Sequence, residues 1–226
     1  MEHILLLHGA IGSKDQLQPL ASELKNKFTV HSLNFSGHGG APMPDTFSIE
    51  TFAEDVLKYL KENNIEKVNI FGYSMGGYVG LYLAKHHPEK INKVATLATK
   101  FLWTPEIAAK ETKMLNIEKI IEKIPAFAET LAKRHAPGDW KMVLHKTSEM
   151  MITLGNKNTL QLSDYETIQH PIMVSIGDSD TMVTLEETKE VVGKLNNVNF
   201  IILPNTPHPI EKVDVKKLAE ELFLFY

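Results

Sequence analysis

The chain of 226 residues is 43% hydrophobic and 23% charged, with a net charge of −4 when its ten histidines are neutral. That composition supports one folded core, and its mild acidity excludes a protein built to hold a polyanionic nucleic-acid backbone. The absence of cysteine removes disulfides, thiolate nucleophiles and zinc–thiolate sites, and the single arginine, Arg134, removes any pocket that grips a multiply anionic ligand through several guanidinium forks.

The first nine residues carry an acidic Glu2 and a short apolar run broken by His8. They lack the basic start, longer apolar stretch and small-residue cleavage site of a signal peptide. No stretch approaches the roughly 20 apolar residues of a membrane span. A cytoplasmic protein with no membrane partner is expected.

Short β-rich runs then alternate with amphipathic stretches, as in a parallel sheet covered by helices on both faces. The runs are Ile4–Leu7, Phe28–Phe35, Val68–Phe71, Val94–Ala98, Ile172–Ile176 and Val198–Leu203. Each is nearly continuous in Val, Ile, Leu or Phe, the pattern of strands buried on both faces. Helices are expected over Lys14–Leu24, Ile49–Lys61, Met75–His86, Leu185–Leu195 and Val213–Leu224, with Thr184 and Glu187 forming a capping box ahead of the fourth. From Phe101 to Thr159 no strand pattern appears, only helical pattern punctuated by Pro105, Pro125, Pro137-Gly138 and Gly155. A βα crossover needs one helix, so this length predicts a helical cap over the carboxyl edge of the sheet. The expected division is a core of residues 1–100 and 160–226 with a cap insertion at 101–159.

Gly72-Tyr73-Ser74-Met75-Gly76, followed by Gly77, stands between a strand run and a helix pattern. That is the setting of a nucleophile elbow, a turn so tight that the positions two before and two after the serine have no room for a side chain. It lifts the serine to a helix N-terminus, where N–H groups favour a developing anion. His8-Gly9-Ala10 ends the first run, so the Ala10 N–H, with the N–H of Met75, is expected to form an oxyanion hole. An acid and then a histidine should follow the serine along the chain. Gly177-Asp178-Ser179-Asp180 follows the fifth run, and Asp180, deeper in the loop, is the expected acid, while Asp178 orders the loop or binds backbone. His208 follows the last run between Pro207 and Pro209, which restrict its loop.

Together these motifs resemble the α/β-hydrolase family, in its small, capped form. His8-Gly9, Ser36-Gly37-His38-Gly39, the Ser74 motif, Gly177-Asp178-Ser179-Asp180 and Pro207-His208-Pro209 fall in that family's order and span nearly the whole chain. The resemblance implies an eight-stranded full form, from which the first two strands look absent here, leaving about six. It implies a serine hydrolase that cleaves a carboxylic ester of a small, neutral or weakly charged molecule through an acyl-enzyme, without metal or organic cofactor. Thioesterase, carbon–carbon bond hydrolase and perhydrolase activities use the same triad. A ligand-binding receptor on a hydrolase scaffold is the competing class. Dehalogenases and epoxide hydrolases, which resemble this chain, carry aspartate where Ser74 stands.

Other residues invite plainer readings. Trp103 and Met142 are candidate substrate contacts, and Trp140, Met114, Met150 and Met151 could join them or simply fill core. Gly37-His38-Gly39 reads as a structural turn, His86-His87 as a helix C-terminus rather than a metal site, and Arg134-His135 as a solvated helix face, with contact to a substrate's polar end as the alternative.

Overall fold

The computed structural model describes all 226 residues, Met1–Tyr226. The six apolar runs become β1 (Glu2–Leu7), β2 (Phe28–Ser32), β3 (Val68–Tyr73), β4 (Ile91–Leu97), β5 (Ile172–Gly177) and β6 (Val198–Leu203). They form one sheet in the order β2-β1-β3-β4-β5-β6, and every neighbouring pair is parallel. Sequence order reverses direction between β1 and β3, which makes that crevice the switch point where ligands bind in open α/β sheets. The register carries the argument further. Leu7 pairs with Gly72, Tyr73 with Leu97, and Gly177 with Leu203, so the loops after β1, β3, β4, β5 and β6 emerge at one edge.

The period-2 pattern of a strand feeds two cores. Leu5 and Leu7 join a large cluster with Ile70, Val94 and Val174, while Ile4 and Leu6 join a second with Phe71, Ala95 and Met173 on the other face. The interior strands β3 and β5 are buried at every residue. The edge strands differ from expectation. β2 stops at Ser32, three residues short of the expected Phe35, and along β6 only Leu203 is fully buried, Ile202 being exposed. An edge strand lacks a neighbour and much of its cover, whatever its composition.

The helices are α1 (Gln18–Leu24), α2 (Ile49–Glu62), α3 (Met75–His86), α4 (Pro105–Thr112), α5 (Ile117–Lys123), α6 (Pro125–His135), α7 (Trp140–Asn156), α8 (Leu162–Tyr165), α9 (Leu185–Val192) and α10 (Val215–Phe225). Local chemistry starts several of them. Ser48 accepts the Thr51 N–H ahead of α2, whose Ile49, Phe52, Ala53, Val56 and Leu60 form a buried stripe at helical spacing. The Thr184–Glu187 capping box opens α9. Five helices, α4 to α8, stand between β4 and β5. Among them α7 packs on α4 and contributes Val143, Met150 and Leu154 to the large core, while Ile120, Leu131 and Leu144 make a small core of their own. No helix is long and apolar enough to cross a membrane.

Candidate active site

Ser74 sits between β3 and α3 with φ +51° and ψ −117°, a backbone conformation that a side chain rarely tolerates. The surroundings hold it there. Its N–H donates to the Leu97 carbonyl at 2.8 Å, and its own carbonyl accepts the Thr99 hydroxyl at 2.9 Å. The glycines around it are required by contact. A Cβ on Gly72 would strike the Gly76–Gly77 backbone, one on Gly76 would strike the Leu7 carbonyl, and one on Gly9 would stand 3.2 Å from Ser74 Cβ. The loop after β1 therefore lies directly against the serine. Neither the Ala10 nor the Met75 N–H donates to a backbone acceptor, which leaves both free at that junction.

Asp180, in the loop after β5, and His208, in the loop after β6, meet at the shared carboxyl edge of those two neighbouring strands. His208 Nδ1 donates to Asp180 Oδ2 at 2.8 Å, and Asp180 Oδ1 accepts the N–H groups of Met182 (2.8 Å) and Val183 (2.9 Å). Burial opposes the Asp180 carboxylate, but the His208 hydrogen bond and the two amides outweigh it and hold its pKa below the usual carboxylate range. Asp178 faces outward, bound to the Ser179 hydroxyl at 2.8 Å and to the Thr206 N–H at 3.3 Å, so it shapes the loop. Gly177 is needed because a side chain there would collide with the Thr206 carbonyl of the histidine loop. Tyr73, beside the serine, donates through its hydroxyl to the His208 carbonyl at 3.1 Å.

Ser74 and His208 line one cavity of about 340 Å³, together with Gly9, Ala10, Met75 and Pro209. No hydrogen bond joins the Ser74 hydroxyl to His208; both are simply at the cavity wall. Such contacts are often long in unliganded sites and tighten on binding. The walls are mostly apolar, and Trp103 is among them, with Met114, Met150, Met151, Met182 and Phe127. Met142 is not. It is 42% exposed, because α7 buries the stripe of Val143, Leu144, Thr147, Met150 and Leu154 and turns Met142 away from it. Met150 and Met151 are the α7 methionines that reach the cavity.

Several contributors carried no sequence signal. Lys100, just past β4, donates to the Met182 carbonyl at 2.6 Å and lies 3.7 Å from both Glu111 and Glu187, tying the Asp180 loop to α4 and α9. Burial raises the Glu187 pKa, with Lys100 offsetting part of the effect. Arg134-His135 is not a solvated face: His135 is fully buried, and Arg134 lines the cavity 3.5 Å from Glu211. Charge alone suggested solvent, whereas the partners lie in distant loops.

His8 is buried behind the site. Its Nδ1 donates to the Gly9 carbonyl at 2.8 Å and its Nε2 accepts the Phe35 N–H at 3.2 Å, so it is neutral and fixed in one tautomer. Burial pushes its pKa down to about 4, the Gly9 bond offsetting part of the effect and His135 and Arg134 adding to it. The folded pKa lies below the unfolded value, so stability is complete above about pH 6.5 and declines as pH falls toward 4, by about 3 kcal/mol for this group. An NMR titration should find His8 still neutral at pH 5; a midpoint near 6.5 would refute its role as a buried neutral strut.

A family model described as alpha/beta hydrolase fold matches residues 2–118. A pimeloyl-[acyl-carrier protein] methyl ester esterase from Neisseria meningitidis serogroup C is 30% identical over 99 residues, 44% of this chain and 37% of that enzyme. An esterase from Escherichia coli (strain K12), YbfF, is 26% identical over 66% of this chain and 56% of its own length. The chain thus spans about a third to a half of these curated relatives. The crystal structure of an enol-lactonase from Burkholderia xenovorans LB400 superposes with a TM-score of 0.80 at 20% identity, covering 99% of this chain and 90% of that one. Sheet order, the turn at Ser74 and the match over half its length agree: the chain belongs to the α/β-hydrolase fold family.

Proposed function

We propose that this protein is a serine hydrolase that cleaves a carboxylic ester of a small, neutral or weakly charged substrate through an acyl-enzyme intermediate. Ser74 is the nucleophile, His208 the general base and Asp180 the group that orients the imidazole and stabilises its cation. His208 takes the Ser74 proton as Oγ adds to the carbonyl carbon. The Ala10 and Met75 N–H groups receive the oxyanion, and the leaving alcohol departs with the proton from His208. Water, deprotonated by the same imidazole, then attacks the acyl-serine, and collapse releases the acid and restores Ser74.

The observation that carries this reading is the 2.8 Å bond between His208 Nδ1 and Asp180 Oδ2, made at the wall of the cavity into which the strained Ser74 turn also opens. It leaves Nε2 as the nitrogen available to a serine. The apolar wall and the pairing of Arg134 with Glu211 and of Lys100 with Glu111 support a substrate with little charge. The helices α4, α6 and α7, which supply Glu111, Phe127, Met150 and Met151 to that wall, serve in this reading with α5 and α8 as a cap.

A fluorophosphonate probe tests it. Rapid labelling, one adduct per chain, is expected, with the adduct mapped to Ser74 by mass spectrometry. A protein that merely binds a ligand in this cavity would label no faster than free serine, and that outcome would refute the assignment.

A further inference from the structure

The loop after β1 is held in shape from outside the sheet. Gly9 to Gly12 form a tight turn, closed by the Gly12 N–H on the Gly9 carbonyl at 3.1 Å, and Ile11 occupies its third position with φ +51°. That position favours glycine, and a β-branched residue there is strained unless its neighbours enforce it. The enforcing groups are visible. Arg134 Nη1 and His135 Nε2 both donate to the Ile11 carbonyl, each at 3.1 Å, from the last turn of α6. His135 is fully buried and its Nδ1 accepts the Gly39 N–H at 3.0 Å, which makes Nε2 the protonated nitrogen. The chain's one arginine is thus committed to a backbone carbonyl 123 residues away, with Glu211 steadying its other nitrogen.

We propose that Arg134 and His135 are positioning residues for catalysis. They fix the Ile11 peptide so that Ala10 presents its N–H to the oxyanion, and the hydrolytic site is complete only while α6 is docked on the loop. The proposal rests on the reading of Ala10 as an oxyanion donor given above. Without the two donors, the turn relaxes toward the form in which its third residue has negative φ. That change repositions the whole turn, including the Gly9–Ala10 peptide whose N–H is the donor in front of Ser74, and the donor is misaimed.

The test uses Arg134→Met in the full chain, which keeps the aliphatic stem and removes the donor. The expected result with p-nitrophenyl acetate is a ten- to hundredfold fall in kcat with KM within twofold. Affinity for a trifluoromethyl ketone, which forms a tetrahedral adduct with the serine, should fall by a similar factor, while Arg134→Lys, whose ammonium can still donate to Ile11, recovers most of the loss. Should the methionine variant fail to fold, Arg134→Leu, which also carries no donor, bears the same expectation. A kcat within twofold of wild type overturns the proposal. So does a loss confined to KM, which would make Arg134 a contact for substrate instead. Ser74→Ala assayed alongside separates the two levels: if it is inactive and Arg134→Met is normal, only the positioning role falls, whereas an active Ser74→Ala removes the hydrolase reading on which it depends.

Discussion

Ser74→Ala is expected to lower turnover of short p-nitrophenyl esters by at least about a thousandfold while leaving the melting temperature within a few degrees of wild type. The two halves of that expectation have separate causes. The hydroxyl makes no hydrogen bond to a protein side chain, so its removal leaves no orphaned partner. The backbone of residue 74 is fixed by the Leu97 carbonyl and the Thr99 hydroxyl, neither of which needs the serine side chain. Alanine can therefore occupy the same strained turn. Chemistry, by contrast, loses its only nucleophile, and the residual rate is what the oxyanion donors and binding achieve with water. Activity within tenfold of wild type, measured on protein purified free of host esterases, would end the serine mechanism.

Asp180→Asn should cost about ten-thousandfold in kcat, more than the loss of a negative charge alone suggests. The reason is the hydrogen-bond inventory at the carboxylate. Oδ1 already accepts from two amides, Met182 and Val183, so the asparagine carbonyl must take that place. Its NH₂ group then faces His208 Nδ1, a position that has to accept. The imidazole proton moves to Nε2, and the nitrogen needed to receive the Ser74 proton is blocked. The imidazole loses its base function while staying in place. The check is kcat against pH together with ¹⁵N chemical shifts of His208: the variant should show the Nε2-protonated tautomer across neutral pH. A variant with a near-normal rate, or with Nδ1 still protonated, would show that Asp180 does not select the tautomer.

Much of this arrangement was legible in the sequence, for identifiable reasons. Buried parallel strands advertise themselves as unbroken apolar runs, and β3 and β5 match theirs closely because neighbours cover both faces. The Ser74 turn was legible because steric contact dictates glycine at positions 72 and 76, leaving a mark in composition itself. Gly177 is of the same kind, fixed by the Thr206 carbonyl. The edges were less so. Nothing within Phe28–Phe35 or Val198–Leu203 says which strands will lack a neighbour, since strand order is a property of the whole sheet. Met142 and Met150 look alike locally, and which of them meets the cavity depends on how α7 is rotated against α4 and the sheet. The Arg134–Ile11 contact was invisible for a different reason. Its acceptor is a carbonyl, which every residue possesses, so no side-chain pattern at position 11 announces it.

Five of the nine methionines, Met75, Met114, Met150, Met151 and Met182, stand around the cavity. An unbranched thioether changes rotamer at small cost and remains attractive to most apolar surfaces it meets. The enclosure is therefore soft at its walls and stiff at its floor, where glycine contacts and paired loops leave no freedom. In the proposed reaction, guests of unequal girth are received by swivelling side chains, and what separates good ones from poor ones is whether their reactive carbon reaches the stiff floor squarely.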